Sequence, residues 1–334
     1  PINQTRARHT PIHLLVTDGS TGGTHHRQRL RSSDAASLFD GEGMATAVRR
    51  ALSVSNPMPQ PPVRAYYLNL ARRTERRLRI EGLLTTLGLS AHGERVDAVD
   101  GTTLVRSSPS AFARACRDAI APRVLHQLTR RASNPDLAGV DGQGLEPGTR
   151  RWVLGVHVTS GAAALLATTY SLLDRLRART SGVALILEDD ATLAPGTVDT
   201  TAITRLLHDL AACTDRTSMP CEPWDVVLLG YHGGWRGRPA DLGAVRANLT
   251  STFDIRRVTG YAFGLFAYAL NLASVPTLIN AVFPASTQLD SAYLDANAKD
   301  RLRVLAVTKP LLTSVPSRPE ETDIQRLPPR RHGG

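Results

Sequence analysis

Val183-Ala184-Leu185-Ile186-Leu187-Glu188-Asp189-Asp190 is the stretch on which the reading of this chain turns. Five apolar residues in a row suit a short strand covered on both faces, as in a parallel sheet flanked by helices. The three carboxylates that follow repel one another. At the end of an apolar strand they are costly unless a cation or hydrogen-bond donors compensate. In open α/β sheets, ligands bind beyond the carboxyl ends of the strands. A hard divalent ion there takes oxygen ligands, and one that also grips substrate phosphates needs only one or two protein carboxylates. The run reads either as an Mg²⁺ or Mn²⁺ site bridging protein to a nucleotide diphosphate, or as an acidic turn in which Asp caps the next helix.

Working outward, Ala65-Tyr66-Tyr67-Leu68-Asn69-Leu70 predicts another buried strand. A helix follows it, with Leu78, Leu83, Leu84 and Leu87 expected on one face and Gly88 as its stop. Glu94 to Val99 predicts the next strand, so the three elements form a βαβ unit with a parallel sheet. Ala111 to Thr129 and Val158 to Arg177 have helical character, the latter with Leu165, Leu172, Leu173 and Leu176 on one stripe. Thr197 to Ala212 predicts a helix and Asp225 to Leu229 a strand. An apolar stretch, Tyr261 to Asn271, precedes helices near Ser274–Val282 and Gln288–Ala298, and a short strand, Arg303 to Val307.

The flanks differ in composition. Residues 1–62 end in Asn56-Pro57-Met58-Pro59-Gln60-Pro61-Pro62, a linker that can neither continue a helix nor join a central strand. They are read as a loosely ordered extension, with Ile12 to Val16 as its one candidate strand. Residues 63–308 are read as one α/β domain, with an insertion at about 106–150, and 309–334 as a Pro- and Arg-rich tail.

The chain has 334 residues, 42% of them apolar, which is enough for a sizeable core and excludes a wholly disordered or collagen-like chain. No window is long and apolar enough for a transmembrane helix. Pro1 to Thr10 lack the apolar core of a signal peptide, so a soluble, cytoplasmic location is expected ahead of a secretory one. The net charge is +10, and all but Lys299 and Lys309 of the 40 basic residues are arginine. Arginine forks suit phosphate, so phosphate-bearing ligands are expected. No recognition helix or aromatic stacking motif accompanies the charge, and no nucleic-acid partner is expected. Cys116, Cys213 and Cys221 form no C-x-x-C pair, which argues against zinc; Cys213 and Cys221 can bridge, but this leaves the compartment open. Asn3-Gln4-Thr5 and Asn248-Leu249-Thr250 are glycosylation sequons, meaningful only in a secretory compartment. His25-His26 lacks a companion ligand set.

Several motifs, in one order, carry a resemblance. These are Tyr67-Leu68-Asn69-Leu70-Ala71-Arg72-Arg73-Thr74-Glu75-Arg76-Arg77, Ala98-Val99-Asp100-Gly101, Ile186-Leu187-Glu188-Asp189-Asp190 and Trp224-Asp225-Val226-Val227-Leu228-Leu229-Gly230, then Leu289-Asp290 and Thr322-Asp323-Ile324. Together, over residues 64–325, they resemble glycosyltransferase family 25, which includes lipopolysaccharide-biosynthesis glycosyltransferases and procollagen galactosyltransferases. The resemblance implies an α/β fold of the GT-A kind, a mixed, mostly parallel sheet flanked by helices. It implies a UDP-sugar donor (UDP-galactose or UDP-glucose), Mn²⁺ or Mg²⁺, inversion at the sugar carbon, and a glycan or collagen-like hydroxylysine acceptor. Asn69, Leu70, Arg72, Arg73 and Arg76 would line the nucleotide side, with Arg77 and Arg79 on a solvated helix face. Asp190, with Glu188 or Asp189, would hold the metal, and Asp290 would be the base, or else an N-cap of the last helix. Asp323 is a further candidate contact, whereas Asp225, at a strand start, is structural. The family's Ser-His step falls near Ala162-Ala163, which have neither hydroxyl nor imidazole; His157 would replace it only with a shift of register. The alternative is therefore a degenerate member that binds nucleotide or glycan without transfer. Gly233-Gly234-Trp235 reads as a flexible acceptor loop or an ordinary turn.

Overall fold

The computed structural model describes residues 63–132, 158–197, 199–214, 221–233, 239–250 and 252–315. The N-terminal extension, the Asn134–Gly148 loop, His25, His26, His157, Gly234, Trp235, Asp323 and most of the expected tail lie outside them.

The strand expected at 183–187 is β3, Val183–Glu188. Its neighbour β1, Val63–Asn69, lies parallel to it, and β2, Gly93–Asp97, lies parallel to β1 on the far side. Helix α1, Thr74–Thr86, links β1 to β2 and completes the βαβ unit. Gly88, at φ 67°, follows it in the left-handed conformation that glycine enters without a Cβ penalty. The helix is turned from the expected face. Ile80, Leu83, Leu84 and Leu87 are buried and Leu78 is 65% exposed. Ile80 at i, with i+3, i+4 and i+7, completes the apolar stripe that Leu78 does not join.

Three helices follow β2: α2 (Gly101–Ser107), α3 (Pro109–Cys116) and α4 (Pro122–Ala132). The single helix expected over 111–129 is thus two, parted where Ile120 bridges to Ala285. Helix α5, Ser160–Leu176, begins at Thr159, whose Oγ1 accepts from Ala162 N–H. After β3 come a short strand not anticipated from the sequence, β4 (Ala191–Leu193), and helix α6 (Thr200–Ala212). The remaining elements are β5 (Val226–Gly230), the hairpin β6 (Leu242–Arg246) and β7 (Ile255–Val258), β8 (Ala267–Asn271), α7 (Val275–Val282), α8 (Leu289–Ala298), β9 (Val304–Val307) and β10 (Leu312–Ser314). No described helix is long and apolar enough to cross a membrane.

The main sheet runs β2-β1-β3-β8-β5-β9-β7-β6. It is mixed: β8 lies antiparallel between β3 and β5, and β7 antiparallel between β9 and β6. Strands β2, β1, β3, β5, β9 and β6 point one way. Side chains alternate across it. Along β3, Ala184 and Ile186 join the core beneath α5, α7 and α8, while Val183, Leu185 and Leu187 join that beneath α1 and α6. Both faces are covered, which is why the strands read as unbroken apolar runs.

The Ala-Val-Asp-Gly turn has a steric reason for its glycine. A Cβ on Gly101 would lie 2.1 Å from Ser160 O and 2.6 Å from Ala164 Cβ, so α2 can rest on α5 only with hydrogen at this position. Gly101→Ala is expected to cost about 3 kcal/mol and lower Tm by roughly 6–12 °C. Denaturant and calorimetric melts check this; an unchanged midpoint would contradict the packing.

Candidate active site

The carboxyl ends of β2, β1 and β3 are laced together by side chains. Asn69, 1% exposed at the end of β1, donates from Nδ2 to Asp189 Oδ2 at 2.8 Å and to the Arg73 carbonyl at 3.1 Å. Its Oδ1 accepts from Arg95 Nε on β2 at 3.1 Å. Arg76, on α1, donates to the other Asp189 oxygen at 3.0 Å. Arg72 Nε reaches Asp100 Oδ2 at 2.7 Å, while Asp100 Oδ1 caps α2 through Thr103 N–H. Leu70 is half-buried and its carbonyl accepts from Arg73 N–H, forming the turn into α1. Arg73 stands at the N-cap of that helix, its guanidinium 3.5 Å from Glu75. Arg77 pairs with Glu81 on the exposed face, as expected of it.

Period-two alternation sorts the carboxylates. Glu188 continues the Ala184–Ile186 face toward α8, whereas Asp189 falls on the opposite face toward α1. Asp189, expected to hold donor or metal, therefore has its two oxygens engaged by Asn69 and Arg76 and acts as a fastening between β1, β3 and α1. Asp189 and the Asn69 amide, expected on the donor and metal side, are thus bonded to each other across the ends of β1 and β3.

Asp190 differs. Its main-chain carbonyl accepts from Val315 N–H at 2.8 Å, but its buried Oδ1 has no partner among the described residues. An orphaned buried carboxylate oxygen marks either strain or an absent ligand. Burial pushes the Asp190 carboxyl up to about 6, opposed by Arg76 and assisted by the Asp189 charge. Glu188 is raised well above the carboxylate range, first by burial, then by the charges of Asp190, Asp189 and Asp290.

Both shifts have the same sign. In the unfolded chain Asp190 ionises near 3.8, so between pH 4 and pH 6 the folded state holds more protons, and stability falls as pH rises. Across this interval the metal-free protein is expected to lose stability relative to Asp190→Asn, while Glu81, Asp100, Asp199 and Asp254, held below their usual range, act with the opposite sign in both proteins. Melting curves of both proteins at stepped pH check it; identical slopes would refute the shift.

Asp290 lies in the first turn of α8. It does not cap the helix: the N-cap residue is Gln288. Asp290 Oδ1 accepts from Ser291 N–H at 2.7 Å and Oδ2 from Gly264 N–H at 3.3 Å. Gly264 has φ 86°, and a Cβ there would meet His232 Cδ2 at 2.8 Å, so only glycine fits. His232, just after β5, was not singled out by any motif. Its ring packs on Phe266 with centroids 4.8 Å apart, and Nε2 lies 3.2 Å from Ser314 Oγ at the end of β10. Burial lowers the His232 pKa, with the Asp290 charge opposing. Its signal in the sequence is positional only: it is the second residue beyond a buried strand.

Asp225 is structural, as expected, its carboxylate accepting from Arg303 N–H at 2.7 Å. Ala162 and Ala163 are buried in the first turn of α5. Gly233 pairs with Phe263 in an isolated bridge.

No group of three or more His, Cys, Asp or Glu side chains among the described residues could hold a metal ion unaided. The unpartnered Asp190 oxygen, with Glu188 beside it, fits an ion that takes its remaining ligands from phosphate and water. No protein-family model matches the chain, and no curated protein matches it.

Proposed function

We propose that the chain is a metal-dependent, inverting glycosyltransferase with a GT-A-like fold, belonging with glycosyltransferase family 25. It moves galactose or glucose from a UDP-sugar to a hydroxyl of a glycan or hydroxylysine-type acceptor. The observation that carries this reading is the buried, unpartnered Asp190 oxygen at the carboxyl end of a sheet strand, beside an Asp189 already neutralised by Arg76.

Asp190 and Glu188 would hold Mn²⁺ or Mg²⁺, which when bound offsets charge developing on the leaving diphosphate. The Asn69–Asp189–Arg76 fastening fixes the turn that presents Asp190. Arg72 and Arg73, on the loop after β1, would line the nucleotide side. Asp290 takes the proton from the acceptor hydroxyl as its oxygen bonds to the sugar carbon, on the face opposite the breaking carbon–diphosphate bond. Gly264 N–H and Ser291 N–H aim the two Asp290 oxygens for that step.

A second reading, a chain that binds nucleotide or glycan without transfer, is favoured by one observation: Ala162 and Ala163 are core residues without a reactive group. A panel of UDP-sugars with Mn²⁺, with and without acceptors, separates the two by released UDP. The enzyme releases UDP from UDP-galactose or UDP-glucose only when metal is present. Metal-dependent UDP binding with no turnover on any acceptor selects the binding module, and no metal-dependent UDP binding refutes the enzyme and leaves only a glycan-binding module.

A further inference from the structure

The sequon Asn248-Leu249-Thr250 lies on the turn that leaves β6. Its flanks face inward: Ala247 is 3% exposed and Leu249 4%, both in the core beneath α1 and α6. Asn248 between them is turned outward and exposed. The turn is fixed at its backbone, since Glu222 N–H donates to Asn248 O and Leu249 N–H to Ala247 O. Thr250 Oγ1 donates to Asp209 Oδ2 at 2.7 Å, tying the sequon to α6. An acceptor asparagine exposed on a firm turn is where a bulky polar graft can sit outside the core.

A second observation comes from sulfur. Cys213, at the end of α6, is bonded to Cys221, ahead of β5. The bridge abuts this same turn, with Cys213 Sγ 3.5 Å from Leu249 O. The third cysteine, Cys116, is fully buried, and burial pushes its thiol up to about 12. It is therefore shielded from exchange with the bridge. With the third thiol buried away from the bridge, oxidation has one pairing to make, and bridges persist in oxidising compartments, the secretory lumen among them. Lumenal residence is also the condition under which a sequon has meaning.

We propose that Asn248 is an N-linked glycosylation site and that the chain matures in an oxidising secretory lumen. In the modification, Asn248 Nδ2 bonds to the anomeric carbon of a lipid-linked oligosaccharide. The carbon–oxygen bond to the lipid diphosphate breaks, the diphosphate leaves with the bonding pair, and the amide loses one proton. In the oxidation, the Cys213 and Cys221 thiols give up two electrons and two protons to a lumenal protein disulfide, which is reduced to a dithiol. This inference is independent of the catalytic reading and contrasts with the cytoplasmic expectation drawn from the first ten residues.

The test uses the full chain isolated from its native cells. Treatment with peptide-N-glycosidase in heavy-oxygen water converts a glycosylated asparagine to labelled aspartate. The expected result is that label at residue 248, together with a Cys213–Cys221 peptide that resists alkylation until reduced. The Asn248→Gln and Thr250→Val variants are each expected to lose the glycan at this position. Thr250→Ser, which preserves the sequon, is expected to keep it. Unlabelled Asn248 in the native protein overturns the modification, and Cys213 alkylated without reduction overturns the lumenal assignment.

Discussion

Asp190→Asn is expected to abolish hexose transfer and metal-dependent UDP binding together. The substitution is nearly isosteric and removes only the charge that an ion would meet at the orphaned Oδ1. Metal stabilisation of a leaving diphosphate amounts to several kcal/mol, so losing it lowers kcat/KM by roughly 10³-fold or more. The metal-free fold is expected to remain intact, since a neutral amide is cheaper to bury beside Glu188 and Asp189 than a carboxylate. Titration calorimetry with UDP, with and without Mn²⁺, reads the binding, and UDP release reads the turnover. Turnover within tenfold of the parent protein would remove Asp190 from the site.

Asp290→Asn is expected to separate what Asp190→Asn couples. The single amide oxygen can still accept from Gly264 N–H, which holds the loop ahead of β8, at the loss of the Ser291 N–H contact. The base is gone, and transfer falls by about 10²–10⁴-fold. Donor affinity stays near the parent value, because the residue acts on the acceptor hydroxyl. The signature is therefore a fall in kcat with little change in the donor KM. A parallel loss of metal-dependent UDP binding would place Asp290 among the donor contacts instead.

What could be read in advance followed from local physics. The run Val183–Leu187 is apolar because both faces of β3 are covered, and that condition is visible in one dimension. The parallel pairing of β1 and β2 through α1 follows from element order and length. The direction of β8 was not legible, since an apolar stretch carries no sign of whether its neighbours run with or against it. β4 and β10, three residues each, pair with one another across more than a hundred residues, and β10 also meets β5 at Gly230, so neither is visible locally. On α1 the error was of phase: Leu78 shares its chemistry with the stripe but not its angle around the helix.

The site was legible in its location and less so in its division of labour. Three adjacent carboxylates look alike in sequence. The pleat sends Glu188 and Asp189 to opposite faces, and only then does Arg76 find Asp189. The Asn69–Asp189 contact was hidden for the same reason: the amide lies within reach of Asp189 only when β1 and β3 pair in register, with Leu68 opposite Glu188. His232 enters through tertiary packing on Phe266 and Gly264, for which no spacing rule exists.

Strand β10 bears on the order in which the protein is made. Val315 braces the carbonyl of Asp190, and Ser314 meets His232, yet both leave the ribosome about 120 residues after the acidic turn. At about 5–20 residues per second that is a delay on the order of 10 s. Through this interval the nascent polypeptide can pair β1, β2 and β3 while the turn stands open. The acidic turn therefore gains its last main-chain partner only near the end of translation.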